Sequence, residues 1–181
     1  MKNVLWVDCC IRGEESRTLR LSRAFLDALP QDCAVTHLDL MQLQPRYFFG
    51  DYLEERQKLL EQGNLSHPRF DLAHQFAAAD EIVVSAPFWD LSFPALLKVY
   101  IEQVSLDGIT FASTEAGLVG RCRAERMVYL TTRGGFYTGD ELEMGSRYMQ
   151  ALCKFFGIDR YDCVAADGMD VAGFDGEGSL R

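Results

Sequence analysis

Ser16, Arg17 and Thr18 stand together where a helical pattern begins, at the end of a loop that opens with Cys9 and Cys10. A helix N-terminus offers unpaired N–H groups and a partial positive charge. Two hydroxyls and a guanidinium added to it suit a phosphate monoester. The competing reading of Ser16 is a plain helix N-cap. The stretch is neither a GxGxxG loop nor a Walker A loop, so dinucleotide and ATP sites are not expected from it. Glu14 and Glu15 would repel a phosphate and must point outward if one binds here.

Two further loops carry chemistry. Pro87, Phe88, Trp89, Asp90 and Leu91 leave an apolar run as a group of bulky side chains. Their backbone groups can read the edge of a flat heterocycle and their rings can pack on its face. A hydrophobic plug over the strand end is the alternative. Thr132, Arg133, Gly134 and Gly135 follow another apolar run, with Phe136 and Tyr137 next. Paired glycines allow close approach of backbone to a ligand; a simple tight turn is the alternative. Together the three loops supply phosphate donors, an aromatic platform and a glycine-rich wall.

Strands and helices must bring these loops together. Short apolar runs at residues 4–7, 82–86, 127–131 and 163–166 read as strands buried on both faces, and residues 34–38 as an edge strand. Helical stripes lie between them. One runs Leu21, Phe25, Ala28, Leu29, and Pro30 stops it. Others run Phe70 to Ala77, Leu97 to Val104, and Leu142 to Phe156 with Gly157 as the C′ residue. Thr138 to Glu141 has capping-box spacing. The alternation predicts an α/β fold, a doubly wound five-stranded parallel sheet of order 2-1-3-4-5, in one domain over residues 1–181. Ligands of such sheets bind beyond the carboxyl ends of the strands, where the order reverses. The three loops lie there. Residues 45–69, with a helix over Asp51 to Gln62 and the aromatics Tyr47, Phe48 and Phe49, read as an insertion, and residues 109–120 as a hairpin-like excursion. A fifth helix is expected after the last strand. The glycine-rich stretch from Asp167 is a poor helix former, so either the chain continues or a partner subunit covers that face.

Composition narrows the function. The net charge is −9, and Glu125 interrupts the one short arginine group, Arg121, Arg123 and Arg126, so no nucleic-acid partner is expected. The six cysteines form no CxxC pair, which argues against a zinc or thioredoxin-type site. His37, His67 and His74 make no metal site or triad by spacing. With no apolar run near bilayer length and no secretory signal pattern, no membrane is expected and the cytoplasm is the expected compartment. Cys10, at a helix N-terminus, is a candidate for a lowered thiol pKa.

The segment from Ser85 to Val104, continuing through Asp107 to Phe111, Thr114 to Gly120 and Thr132 to Gly135, resembles the FMN-dependent NADH-azoreductases and NAD(P)H:quinone reductases of the flavodoxin-like superfamily. Ser16, Arg17 and Thr18 fit the same likeness, which extends over roughly residues 3–168. The resemblance implies that Cys10, Ser16, Arg17 and Thr18 hold the FMN ribityl phosphate. It places Pro87, Phe88, Trp89, Asp90 and Leu91 along the isoalloxazine ring, and Thr132, Arg133, Gly134 and Gly135 on its other side. It implies a homodimer in which Phe111 comes from the partner subunit to line the substrate pocket, beside Phe136. Cys10 stands where the family has Ser, and Asp90 where it has Asn.

The expected function is an FMN-dependent oxidoreductase. NADH or NADPH reduces the flavin, leaves, and is replaced by a small flat acceptor such as a quinone or azo compound, in ping-pong order. The flavin carries the chemistry. Tyr137 is the candidate proton donor to the acceptor, against the alternative of a ring packed at the rim. The rival functions are a flavodoxin-like electron carrier and a flavin-free binding or regulatory protein of the same fold.

Overall fold

The computed structural model describes residues 1–176 and 178. Along the chain run β1 (Lys2–Asp8), α1 (Arg17–Asp27), β2 (Cys33–Asp39), α2 (Leu40–Leu43), α3 (Asp51–Glu61), α4 (Asp71–Ala78) and β3 (Glu81–Ser85). Then follow α5 (Ala95–Val104), β4 (Phe111–Thr114), β5 (Gly117–Gly120), β6 (Arg126–Thr132), α6 (Met144–Phe156) and β7 (Arg160–Ala166). A five-stranded parallel sheet has the order β2-β1-β3-β6-β7, and β4 and β5 pair separately as an antiparallel hairpin. The order expected from the apolar runs, 2-1-3-4-5, becomes 2-1-3-6-7 because the two hairpin strands fall between β3 and β6 in the chain.

The apolar runs are continuous because both faces of the sheet are covered. Leu5, Val7, Ile82, Val84, Met127 and Tyr129 face α4, α5 and α6, where Phe76, Leu97, Tyr100, Met149 and Phe156 meet them. The residues between them, Val4, Trp6, Val83, Val128 and Leu130, face α1, which lays Leu19, Phe25 and Leu26 on them. The strand order reverses between β1 and β3, and parallel pairing sets the carboxyl ends of β1, β3 and β6 side by side.

Buried polar bonds anchor the start of α1 to these ends. Trp6 Nε1 donates to Ser85 Oγ at 2.8 Å. The Ser22 hydroxyl lies within hydrogen-bond distance of both Ser85 Oγ, at 2.6 Å, and the Thr18 carbonyl oxygen, at 2.7 Å. Thr18 Oγ1 and Thr132 Oγ1 share a hydrogen bond of 2.7 Å, tying α1 to β6.

Residues 45–69 carry α3, whose Leu59 joins Phe70, Ala73, Leu106 and Ile109 in a small separate core. Phe48 packs on Tyr52, the guanidinium of Arg46 lies 4.4 Å from the Tyr52 ring, and Tyr47 and Phe49 are left exposed. In the hairpin, Phe111 faces Gly120. Gly120 has no room for a side chain: a Cβ there would stand 2.0 Å from the Gly157 nitrogen.

One local expectation is corrected. The start of α6 is not the Thr138–Glu141 box. Glu143 is the N-cap, accepting from the Ser146 N–H at 2.9 Å, while Leu142 lies outside the helix. The Thr138 amide instead donates to Asp167 at 2.7 Å, which pulls that turn toward the end of β7. The C-terminal end of α6 is as expected, with Gly157 left-handed at φ 77°. After β7 no described helix covers the sheet, and Cys163 and Val164 stay exposed. The chain instead turns back toward the glycine-rich loop.

Candidate active site

Ser16 is extended, at φ −76° and ψ 121°, and its Oγ accepts from the Leu19 N–H at 3.3 Å, so it is an N-cap. It also lines a cavity of about 330 Å³ with Arg12, Glu15, Arg17 and Thr18 from the same loop. Pro87, Phe88 and Trp89 close a second side of this cavity, and Thr132, Arg133 and Gly134 a third. The three loops chosen from the sequence therefore surround one space of ligand size.

The second loop is a tight turn. Trp89 and Ser92 exchange both backbone hydrogen bonds, at 3.1 and 2.8 Å. Asp90 and Leu91 between them sit at φ 49° and 66°. An Asp accepts this left-handed backbone readily; for Leu it stores strain of about 1 kcal/mol or more, of a kind that gathers at binding sites. The turn is held from outside by Met144, whose N–H donates to the Leu91 carbonyl at 2.9 Å, and from inside by Phe88, whose N–H donates to the Thr132 carbonyl at 3.1 Å.

Other expected site residues stand apart from the cavity. Cys10 is fully buried behind it, and its N–H donates to Asp8 Oδ1 at 2.9 Å rather than toward a ligand. Burial, followed by the neighbouring Asp8 carboxylate, pushes the Cys10 thiol far above its ordinary range, which reverses the lowered pKa expected of it. Asp90 and Leu91 form the turn behind Trp89, and Gly135 lies under the Tyr137 ring. Tyr137 packs on Phe88 at 4.6 Å and lines a second cavity on the far side of Arg133. Phe136 is exposed and packs against Phe174 at 5.0 Å. Phe111 lies on Phe155 at 4.5 Å, away from the cavity of its own chain.

Arg133 serves the site indirectly. Its guanidinium is buried between Glu143 and Asp167, at 3.3 and 3.1 Å, and also reaches Thr138 Oγ1 at 3.2 Å. The ion pairs hold the third loop while its backbone forms the wall.

Charges around the cavity are mixed. Glu14 is turned outward into a bidentate pair with Arg23 on α1, at 2.6 and 2.5 Å. Glu15, in contrast, lines the cavity. Glu15 thus departs from the outward orientation expected of it, and Arg12, Met169 and Asp170 are the lining residues that the sequence did not mark. Arg12 belongs to the first of the three loops. Nothing local marks Met169 and Asp170, which arrive from the far end of the chain. His37, assigned no role from the sequence, stacks on Trp6 at 3.9 Å with its Nε2 3.0 Å from Asp8. Among the described residues, no three His, Cys, Asp or Glu side chains gather as a metal site needs, and no helix is long and apolar enough to cross a membrane.

A flavodoxin-like family profile matches residues 2–179. The chain is 37% identical over 178 residues to a Clostridium perfringens protein named FMN-dependent NADH:quinone oxidoreductase, covering 96% of this chain and 89% of that one. It is 36% identical over 189 residues to the FMN-dependent NADH:quinone oxidoreductase 2 of Clostridium acetobutylicum, covering 100% and 94%. Among solved structures, an azoreductase from Bacillus anthracis superposes with a TM-score of 0.85 at 28% identity, covering 99% of this chain and 93% of that one. The chain belongs to this flavodoxin-like family.

Proposed function

We propose that this family member is an FMN-dependent NAD(P)H oxidoreductase that reduces quinones, azo compounds or similar flat acceptors by two electrons in ping-pong order. The observation that carries the reading is that loops from the ends of β1, β3 and β6 line one cavity, which brings together the hydroxyls of Ser16 and Thr18, the charges of Arg12, Arg17, Glu15 and Asp170, and the rings of Phe88 and Trp89. The names of its relatives agree, and favour NADH as the reductant.

The residues present fit FMN. Arg12, Arg17 and the Ser16 hydroxyl, at the start of α1, would supply donors for a phosphate monoester, with Glu15 in the same lining. Phe88 and Trp89 line the same cavity as Gly134, whose missing side chain leaves room that the Asp170 carboxylate enters. Ser16, Arg17 and Thr18 would hold the phosphate end. Pro87, Phe88 and Trp89 would flank the ring with the turn of Asp90 and Leu91 behind them, and Thr132 to Gly135 would close the other side. Cys10 would support this loop from below through its bond to Asp8. When bound, FMN would supply the hydride chemistry, accepting from the nicotinamide and giving to the acceptor.

The chain's own residues orient both reactants and keep water from the ring. Phe136 would border the acceptor, and Tyr137, packed on Phe88, would place a phenol near it as proton donor. Phe111 would reach the cavity only from a second copy, because in its own chain it packs on α6. A homodimer would also cover Tyr47, Phe49 and Leu118, which are 68%, 75% and 61% exposed. We place the enzyme in the cytoplasm, in keeping with its six free cysteines.

The visible spectrum of the purified protein tests the reading first. Flavin bands, released as FMN on denaturation, are expected, together with steady NADH oxidation when menadione is added. A colourless protein that takes up no FMN overturns the proposal. Flavin without NADH turnover would favour an electron carrier. Light scattering in solution tests the homodimer.

A further inference from the structure

Beyond β7 the chain returns to the cavity and sets the Asp170 carboxylate in its lining. Gly168, Met169 and Asp170 donate their N–H groups to the carbonyls of Gly135, Arg133 and Gly134, at 2.9, 3.0 and 3.0 Å. The returning strap is thus bonded along the glycine-rich wall. Gly168, at φ 76°, makes the turn under the paired rings of Phe136 and Phe174, where a Cβ would come 2.7 Å from Phe174. Held in this way, Asp170 places Oδ1 2.7 Å from Arg17 Nη1. Its other oxygen occupies the room that Gly134 leaves; a Cβ on Gly134 would stand 2.7 Å from it.

Arg17 is a cation at the N-terminus of α1, in the part of the cavity assigned above to the phosphate. One of its partners is the Asp170 carboxylate of the same chain. A phosphate monoester carries between one and two negative charges at neutral pH, and like charges on one guanidinium repel. The Arg17 and Asp170 side chains are 37% and 70% exposed, so their ion pair is weak enough to be exchanged.

We propose that Asp170 is an internal anion on Arg17, which the phosphate of the flavin must displace. Asp170 is then a specificity-determining residue. It penalises phosphorylated flavin relative to riboflavin, and so sets how tightly FMN is retained. The inference rests on the proposed function, but its test separates the two.

Binding of FMN and of riboflavin to the apoprotein is followed by quenching of flavin fluorescence, for the wild type and for Asp170→Asn. The variant is expected to bind FMN about fivefold more tightly, the upper range for a partly exposed charge pair, and riboflavin within about twofold of wild type. The FMN gain should shrink as salt is raised. In an Arg17→Gln background, Asp170→Asn should change FMN affinity by less than about twofold, because the shared partner is gone. Circular dichroism and melting show whether each variant is folded, and Asp170→Ser is the substitute should the Asn variant misfold.

Equal FMN affinity in wild type and variant overturns the inference, as does weaker binding, which would make Asp170 an aid to Arg17. An equal gain for riboflavin also overturns it, since the strap would then obstruct the cavity without regard to charge. Binding of neither flavin by either protein overturns the proposed function, and the inference with it.

Discussion

The guanidinium of Arg133 stands 3.3 Å from the carboxylate of Glu143, with the two side chains only 3% and 8% exposed. Glu143 also caps α6, so one ion pair joins the glycine-rich wall of the candidate site to the helix behind it. Arg133→Met should therefore leave the buried Glu143 carboxylate and the partly buried Asp167 without their shared cation. A loss of about 3–5 kcal/mol is expected in urea unfolding. A change within experimental error would show that the pair does not organise the loop.

Asp167 gives the pH dependence of this network. Burial pushes its carboxyl up, but hydrogen bonds from Thr138 and Tyr137 and the charge of Arg133 outweigh burial and hold it below the ordinary range. A carboxyl lowered on folding stabilises while ionised. Its contribution is complete above the unfolded Asp value of about 3.9 and is lost as pH falls through the lower folded value. The melting-temperature gap between wild type and Asp167→Asn should be level above about pH 5 and close below about pH 4. A gap that persists at the lowest pH would mean that ionisation is not its source.

Gly120 and Gly157 meet backbone to backbone. Alanine at Gly120 must push β5 off the end of α6, because the atoms it would strike are main-chain nitrogen and carbon. Gly120→Ala should cost about 1–3 kcal/mol or more in thermal unfolding, as overpacking does elsewhere. A variant that melts with wild type would mean that the hairpin is not seated there.

Thiol accessibility checks the burial of the first loop. Cys9, Cys10 and Cys153 are buried, whereas Cys163 is exposed. Burial, then Asp8, pushes the Cys9 thiol up to about 12, and burial likewise pushes Cys153 up to about 12. A disulfide reagent at pH 8 should modify Cys163 in the folded protein and these three only on unfolding. Rapid labelling of Cys10, read by mass spectrometry, would overturn its placement.

Trp89 borders the cavity while 42% exposed, so it contributes more to a ligand than to the core. Trp89→Ala should weaken FMN binding about twofold to tenfold, the worth of one ring-on-ring contact, with little change in the melting of the apoprotein. Unchanged FMN affinity would remove Trp89 from the ring site.

The sequence by itself determined the sheet, its helices and the three loops. Those signals are local: apolar runs for strands covered on both faces, stripes of helical period, Ser16 before α1 and Gly157 after α6. Resemblance along residues 85–135 then placed the flavin among those loops. Tertiary structure alone decided what long-range partners decide. Cys10 is buried because Val83, Val128 and Leu130 join it in one core cluster, and the Thr138 turn is drawn to Asp167 instead of capping α6. Arg133 is withdrawn between two carboxylates that stand 10 and 34 positions further along the chain. Asp170 reaches Arg17 across 153 positions. A charge pair has no period and no local composition, so it becomes visible only when the fold brings its two ends together.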